Sequence, residues 1–134
     1  MEEKPILVES WTRREKVWLS PFSESTKQTI KDMGGVIKTN HDEGGFRYKI
    51  TFPGYLWGAS VVKSKWHLSV QGRDLFELGV MDSSGHLTYD TEITNDVVYN
   101  LTDEDVLAIL RLIMRLDKHG KIKRLNSSQT AQGL

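Results

Sequence analysis

The chain has 134 residues and a mass of 15.3 kDa, which suits one domain with a single hydrophobic core and is too short for two ordinary domains. Its 18 basic residues balance 18 acidic ones, so the formal net charge is zero. This balance excludes a strongly basic protein that coats nucleic acid and an acidic mimic of it, because each needs a large field of one sign.

The first twenty residues mix a short apolar stretch with two tryptophans and a charged run. Residues 16–19 favour a strand by their aromatic and β-branched content, although Trp11 and Trp18 would share a face only in a helix. The start is acidic where a secretory signal would be basic, and the longest apolar run, Val106 to Leu110, is far shorter than the roughly 20 residues of a membrane span. We therefore expect a soluble, cytoplasmic protein.

A short helix is predicted next. Ser25 and Gln28 have the spacing of a capping box, and the helix should run to Met33. Gly34 and Gly35 then supply the left-handed conformation with which many helices end. The apolar face consists of Phe22, Thr26, Ile30 and Met33. Because this face is narrow, the helix should lie on a sheet with most of its surface in water.

The middle of the chain predicts a hairpin. Residues 36–40 form the first strand, and the polar segment 41–45 ends in two glycines. In Phe46 to Phe52 every even-numbered residue is apolar and every odd-numbered one polar, which is the period of a strand with one buried face. Pro53 and Gly54 should end this strand.

A second set of strands is predicted to complete a meander. One should begin at Lys65, where Trp66, Leu68 and Val70 alternate with His67, Ser69 and Gln71. Leu75 to Met81 is apolar enough for a central strand, residues 82–85 form a turn, and residues 87–91 form a last strand.

The strongest helix signal lies near the end of the chain. Thr102 is an N-cap candidate, and the three carboxylates that follow it face the positive end of the helix dipole. From Val106 to Leu116 only Arg111 and Arg115 are polar, so this helix should be buried over most of its circumference. Residues 118–120 give the signals of a helix end.

Together these elements predict an α+β fold with an antiparallel sheet of about five to six strands, a hairpin plus a meander. A short N-terminal helix and a buried C-terminal helix complete a single domain at residues 1–120. Residues 121–134 should be a disordered polar and basic tail.

No catalytic motif is recognised. The histidines stand at positions 41, 67, 86 and 119, and none has the spacing of a helical metal pair. There is no cysteine, and no serine lies in a nucleophile elbow. His41, Asp42 and Glu43 contain the atoms of a weak cation site but are better explained as solvated loop residues. We expect no catalytic residue, no metal and no cofactor, and predict that the protein is not an enzyme.

Large apolar side chains crowd between glycines in the segment that follows Phe52. Tyr55, Leu56 and Trp57 are the predicted partner-binding residues, because aromatic side chains bury large areas at low entropic cost. The alternative is that Tyr55 and Trp57 fold back and plug an open end of the sheet.

A local group of cations lies near the C-terminus, with six cations and one acid over 14 residues. Its members are Arg111, Arg115, Lys118, Lys121, Lys123 and Arg124. They could contact phosphate, or they could simply complement a helix dipole and continue into a solvated tail.

The leading hypothesis is a small non-enzymatic domain that binds another protein as an inhibitor, adaptor or assembly factor. A homodimer through Val106–Leu116 is one form that this partner surface could take. The first alternative is a nucleic-acid-binding regulator that uses the C-terminal cations. The second is a small-ligand-binding protein or enzyme, with a site near His67, Ser69 and Gln71.

Overall fold

The computed structural model describes residues 3–10, 14–42, 44–66 and 74–123. In chain order the elements are β1 (Ile6–Glu9), β2 (Lys16–Leu19), α1 (Glu24–Asp32), β3 (Val36–Asp42), β4 (Gly45–Thr51), β5 (Gly58–Ser64), β6 (Phe76–Met81), β7 (Leu87–Thr88), β8 (Val98–Leu101) and α2 (Asp103–Ile113). The predicted α+β class, with an antiparallel sheet and two helices, is confirmed.

Six strands form one antiparallel sheet. Strands β3 to β7 follow one another as a meander, and β8 pairs with β6. The predicted hairpin is confirmed, since β3 and β4 pair with Ile37 opposite Ile50. Strand β6 is central as predicted, because β5 pairs with one edge of it while β7 and β8 share the other. The alternation in β4 buries Phe46, Tyr48 and Ile50 on the face toward the helices.

The sequence pattern missed β5. The strand in this part of the chain is Gly58–Ser64, and Lys65 and Trp66, where the next strand was predicted to begin, form a turn after it. Residues 67–73, the rest of that prediction, lie outside the described residues. The last predicted strand, at residues 87–91, is shortened to Leu87–Thr88.

A buried lysine explains why β5 was missed. Its inner face carries Ala59, Val61 and Lys63, and a lysine in a sequence normally indicates a surface position. Lys63 is only 3% exposed. Its ammonium donates to the carbonyl of Ser20 at 2.8 Å and pairs with the Asp74 carboxylate at 2.8 Å. These contacts satisfy the charge and let the lysine occupy a core position.

Helix α1 begins two residues earlier than predicted. Its N-cap is Ser23, whose hydroxyl accepts from the backbone N–H of Thr26 at 3.1 Å, so the capping box at Ser25 is wrong. The reason lies in the other helix. The carboxylate of Asp103 accepts from Ser23 N at 3.0 Å and from Thr26 Oγ1 at 2.7 Å. The predicted end at the glycines is confirmed, with Gly34 at φ +92°.

Helix α2 begins as predicted. Thr102 accepts from Asp105 N at 3.2 Å, and the Asp105 carboxylate accepts from Thr102 N at 3.0 Å, which completes a capping box. One face is buried in the chain's own core through Val106, Leu110 and Ile113. The neighbouring apolar side chains Leu107, Ile109, Leu112 and Met114 are half-buried.

The chain turns back directly after α2. The helix ends at Ile113 rather than continuing to Leu116, because Leu116 forms a β-bridge with Ile122. Lys123 N donates to the carbonyl of Arg115 at 2.8 Å. Residues 121–123 of the predicted tail are therefore paired with the segment after α2, and residues 124–134 lie outside the described residues.

The main core lies between the inner face of the sheet and the two helices. Tyr48 is fully buried and stacks on Phe22 with ring centroids 4.2 Å apart. Its hydroxyl accepts from Phe22 N at 3.1 Å and donates to the Glu3 carboxylate at 2.8 Å. All helix packing is on this side, so the opposite face of β3 and β4 points away from both helices.

Candidate functional site

The loop between β4 and β5 is held in a defined turn. Tyr55 N donates to the carbonyl of Phe52 at 2.9 Å. Pro53 and Gly54 occupy the two central positions, and Gly54 has φ +87°. Proline followed by a glycine with positive φ is the sequence pattern of a type II turn. The turn therefore fixes the direction in which the next side chains leave the sheet.

The structure separates the three predicted partner-binding residues. Trp57 folds back, packs on the core and donates from Nε1 to the carbonyl of Asp117 at 2.8 Å. Tyr55 and Leu56 instead remain 50% and 49% exposed. The Tyr55 ring meets Phe52 edge to face, with centroids 6.2 Å apart. Trp57 thus anchors the loop while its two neighbours are presented to solvent.

A groove of about 350 Å³ lies beside this loop. Residues 51–58 form one wall and the turn from Asp82 to Gly85 forms the other. Asp82 Oδ1 accepts from Ser84 N at 2.9 Å, from Ser84 Oγ at 2.7 Å and from His86 N at 3.1 Å. These hydrogen bonds, that of the Ser84 hydroxyl foremost, lower the pKa of Asp82. The second wall is therefore an ordered turn with a negative charge.

The structure describes five of the six C-terminal cations. Arg111, Lys118, Lys121 and Lys123 are exposed. The guanidinium of Arg115 donates to the carbonyl of Lys123 at 2.7 Å, so part of its hydrogen-bonding capacity is used within the fold. Arg124 lies outside the described residues.

A carboxylate stands among these cations. Asp117 Oδ1 accepts from Lys121 N at 3.1 Å and from His119 N at 2.8 Å. The hydrogen bond from Lys121 and then that from His119 lower the pKa of Asp117. The turn after α2 consequently carries a negative charge that offsets part of the local positive charge.

Two other candidates lie beyond the description. His67, Ser69 and Gln71 are outside the described residues, as are Glu43 and the side chains of His41 and Asp42. Within the described ranges there is no group of three or more His, Asp or Glu side chains placed to hold a metal ion. No helix in those ranges is long and apolar enough to cross a membrane.

Sequence reasoning missed two features of the candidate surfaces. It treated the turn at residues 82–85 only as a connection, although that turn forms a groove wall. It also treated Arg47 and Lys49 only as the polar half of an alternating strand. The alternation does predict that these two cations share a face of β4. Which residues of the neighbouring strand β3 lie beside them follows only from the pairing register of the two strands.

Comparison of the chain with protein-family models, with curated proteins and with solved structures finds no match.

Proposed function

We propose that this protein is a small non-enzymatic protein-binding domain, acting as an inhibitor, adaptor or assembly factor inside the cell. The observation that supports this most directly is the pair Tyr55 and Leu56. Both side chains are about half exposed on a loop fixed by a turn at one end and by the Trp57 anchor at the other.

Fixing the loop matters because binding costs free energy for every side chain and loop that becomes ordered. When an aromatic or aliphatic side chain is already ordered before binding, this ordering cost offsets less of the free energy gained by burying it. Tyrosine is also enriched among the interface residues that contribute most to binding. Tyr55 and Leu56 therefore have the residue types and the preorganisation of partner-contact residues.

The adjacent groove gives the partner a place to insert an apolar side chain. It has ordered walls on both sides, and Asp82 adds a negative charge to the wall opposite Tyr55. A partner segment with an apolar residue flanked by a basic one would complement this surface. A homodimer through Val106–Leu116 would use only the half-buried side chains of that segment, such as Leu112, because Val106, Leu110 and Ile113 are already covered.

The test is photo-crosslinking from the loop combined with matched variants. A photoreactive phenylalanine analogue at position 56 should capture a discrete protein in native-host extract, with and without nuclease. The Tyr55→Ala/Leu56→Ala variant should lose most capture of that protein in a pull-down, because it removes both exposed anchors and leaves Trp57 in place.

The control removes an equally exposed pair elsewhere. Leu7 and Tyr89 are 47% and 53% exposed, so Leu7→Ala/Tyr89→Ala changes the same residue types and should retain capture. Both variants should keep the wild-type circular dichroism spectrum. Equal capture by the loop variant and the wild type, or equal loss in both variants, would refute the assignment to this loop.

A further inference from the structure

Three cations stand together on the face of the sheet that points away from the helices. Lys38 lies on β3, and Arg47 and Lys49 lie on β4, all exposed. None of their side chains forms a hydrogen bond or ion pair with another residue that the structure describes. We call this set the outer-face cations.

The register brings like charges together. Lys38 is directly opposite Lys49 in the β3–β4 pairing, where Cβ atoms are about 4.5–5.5 Å apart. Arg47 follows two residues away on the same face of β4, at about 7 Å along the strand. Like charges directly opposite each other destabilise a sheet, so the arrangement opposes folding and favours an anionic ligand.

Protection of the sheet edge explains only part of this pattern. β3 is an edge strand, and a lysine there hinders pairing with other chains. β4, however, is paired on both sides, with β3 and with β5. Arg47 and Lys49 therefore protect no edge, and their placement opposite and beside Lys38 calls for another explanation.

The surroundings supply further hydrogen-bond donors. Asn40 is opposite Arg47, Ser60 is opposite Lys49, and Thr51 follows Lys49 on the same face. Lysine, arginine, serine, threonine and asparagine are among the side chains that contact the phosphates of nucleic acids. Glu77 is separated from Arg47 by the whole of β5, so the three cations stand apart from it.

We propose that the outer face of β3 and β4 binds the phosphate backbone of a nucleic acid, with Lys38, Arg47 and Lys49 contacting successive phosphates. Lys38 and Lys49 lie side by side on adjacent strands and Arg47 lies further along β4, so together they suit a ligand that carries several neighbouring negative charges. A sheet face that approaches the backbone reads no base edges, so binding is independent of sequence. The three cations do not line the groove beside Tyr55, which this surface meets only at Thr51, and the proposal does not depend on the function proposed above.

The test uses fluorescence anisotropy with a labelled oligothymidylate of about 20 nucleotides and with a duplex of the same length, between about 50 and 200 mM salt. The Lys38→Gln/Arg47→Gln/Lys49→Gln variant should bind the single strand about tenfold or more weakly at the lower salt. Its slope of log affinity against log salt should fall by about 2, because each phosphate contact contributes roughly 0.7 for single strands. Binding of either form by the wild type that is weakened in the variant supports the proposal, because both forms carry the phosphate backbone.

The matched control removes the same charge from the C-terminal segment. Arg111→Gln/Lys118→Gln/Lys121→Gln should keep the wild-type affinity and slope, and urea unfolding should show that both variants fold. Three results would overturn the proposal: no binding by the wild type at the lower salt, an equal or larger loss in the C-terminal control, or displacement of the oligonucleotide by polyglutamate as readily as by unlabelled oligonucleotide.

Discussion

Breaking the buried ion pair between Lys63 and Asp74 should destabilise the fold far more than breaking a surface pair. The Lys63 side chain is 4% exposed and that of Asp74 is 33% exposed. In Asp74→Ala the ammonium stays buried against the Phe76 ring, 3.9 Å from its centroid, and keeps only the Ser20 carbonyl. Removing one partner of a buried pair costs about 3–5 kcal/mol.

We expect the lower end of that range, about 3 kcal/mol, because water already reaches one third of the Asp74 side chain and screens the pair. Asp74 also accepts from Ser20 N at 2.8 Å, so the substitution frees a second donor at the end of β2. The Lys63→Met/Asp74→Ala double variant should recover part of the loss, since it leaves no buried charge without a partner.

Urea unfolding of the wild type, the two single variants and the double variant measures the free energy of unfolding and the coupling between the two sites. The surface substitution Lys31→Ala on α1 serves as a reference for an exposed lysine. A loss below about 1 kcal/mol for Asp74→Ala, the value typical of exposed pairs, would refute the argument that Lys63 is confined to the core.

Two further predictions concern the turns that flank the candidate site. Gly54→Ala should lower the free energy of unfolding by about 1–2 kcal/mol, because a left-handed backbone strains any residue with a Cβ. An unchanged midpoint of urea denaturation would contradict this prediction. No atom lies within 4 Å of the added Cβ, so a steric clash plays no part. The pKa of Asp117 is lower in the folded protein than the ordinary carboxyl pKa of the unfolded chain. The ionised side chain therefore contributes fully to stability above the ordinary pKa, and this contribution is lost as the pH falls through the lower pKa of the folded state. Melting temperatures measured between about pH 6 and pH 2 should therefore fall less steeply for Asp117→Asn than for the wild type, and parallel curves would exclude this contribution.

The candidate loop illustrates how far local sequence reaches. The cluster of Tyr55, Leu56 and Trp57 between glycines indicates a loop with a special role, and Pro53 with Gly54 indicates its turn. The sequence leaves open which rings are exposed, since that depends on an acceptor 60 residues away. The carbonyl of Asp117 lies within reach of Trp57 Nε1 only after α2 and the turn behind it have packed against the sheet.

Features that depend on neighbouring residues can be predicted from the sequence alone. The alternation from Phe46 to Phe52, the cap at Thr102 and the glycines after α1 each act over a few positions, where backbone geometry and hydrogen bonding are local. Features that depend on distant partners follow only from the tertiary structure. It moved the start of α1 to Ser23 through Asp103, and it placed Lys63 in the core through Asp74, because such charges and hydrogen bonds are satisfied only once the elements meet.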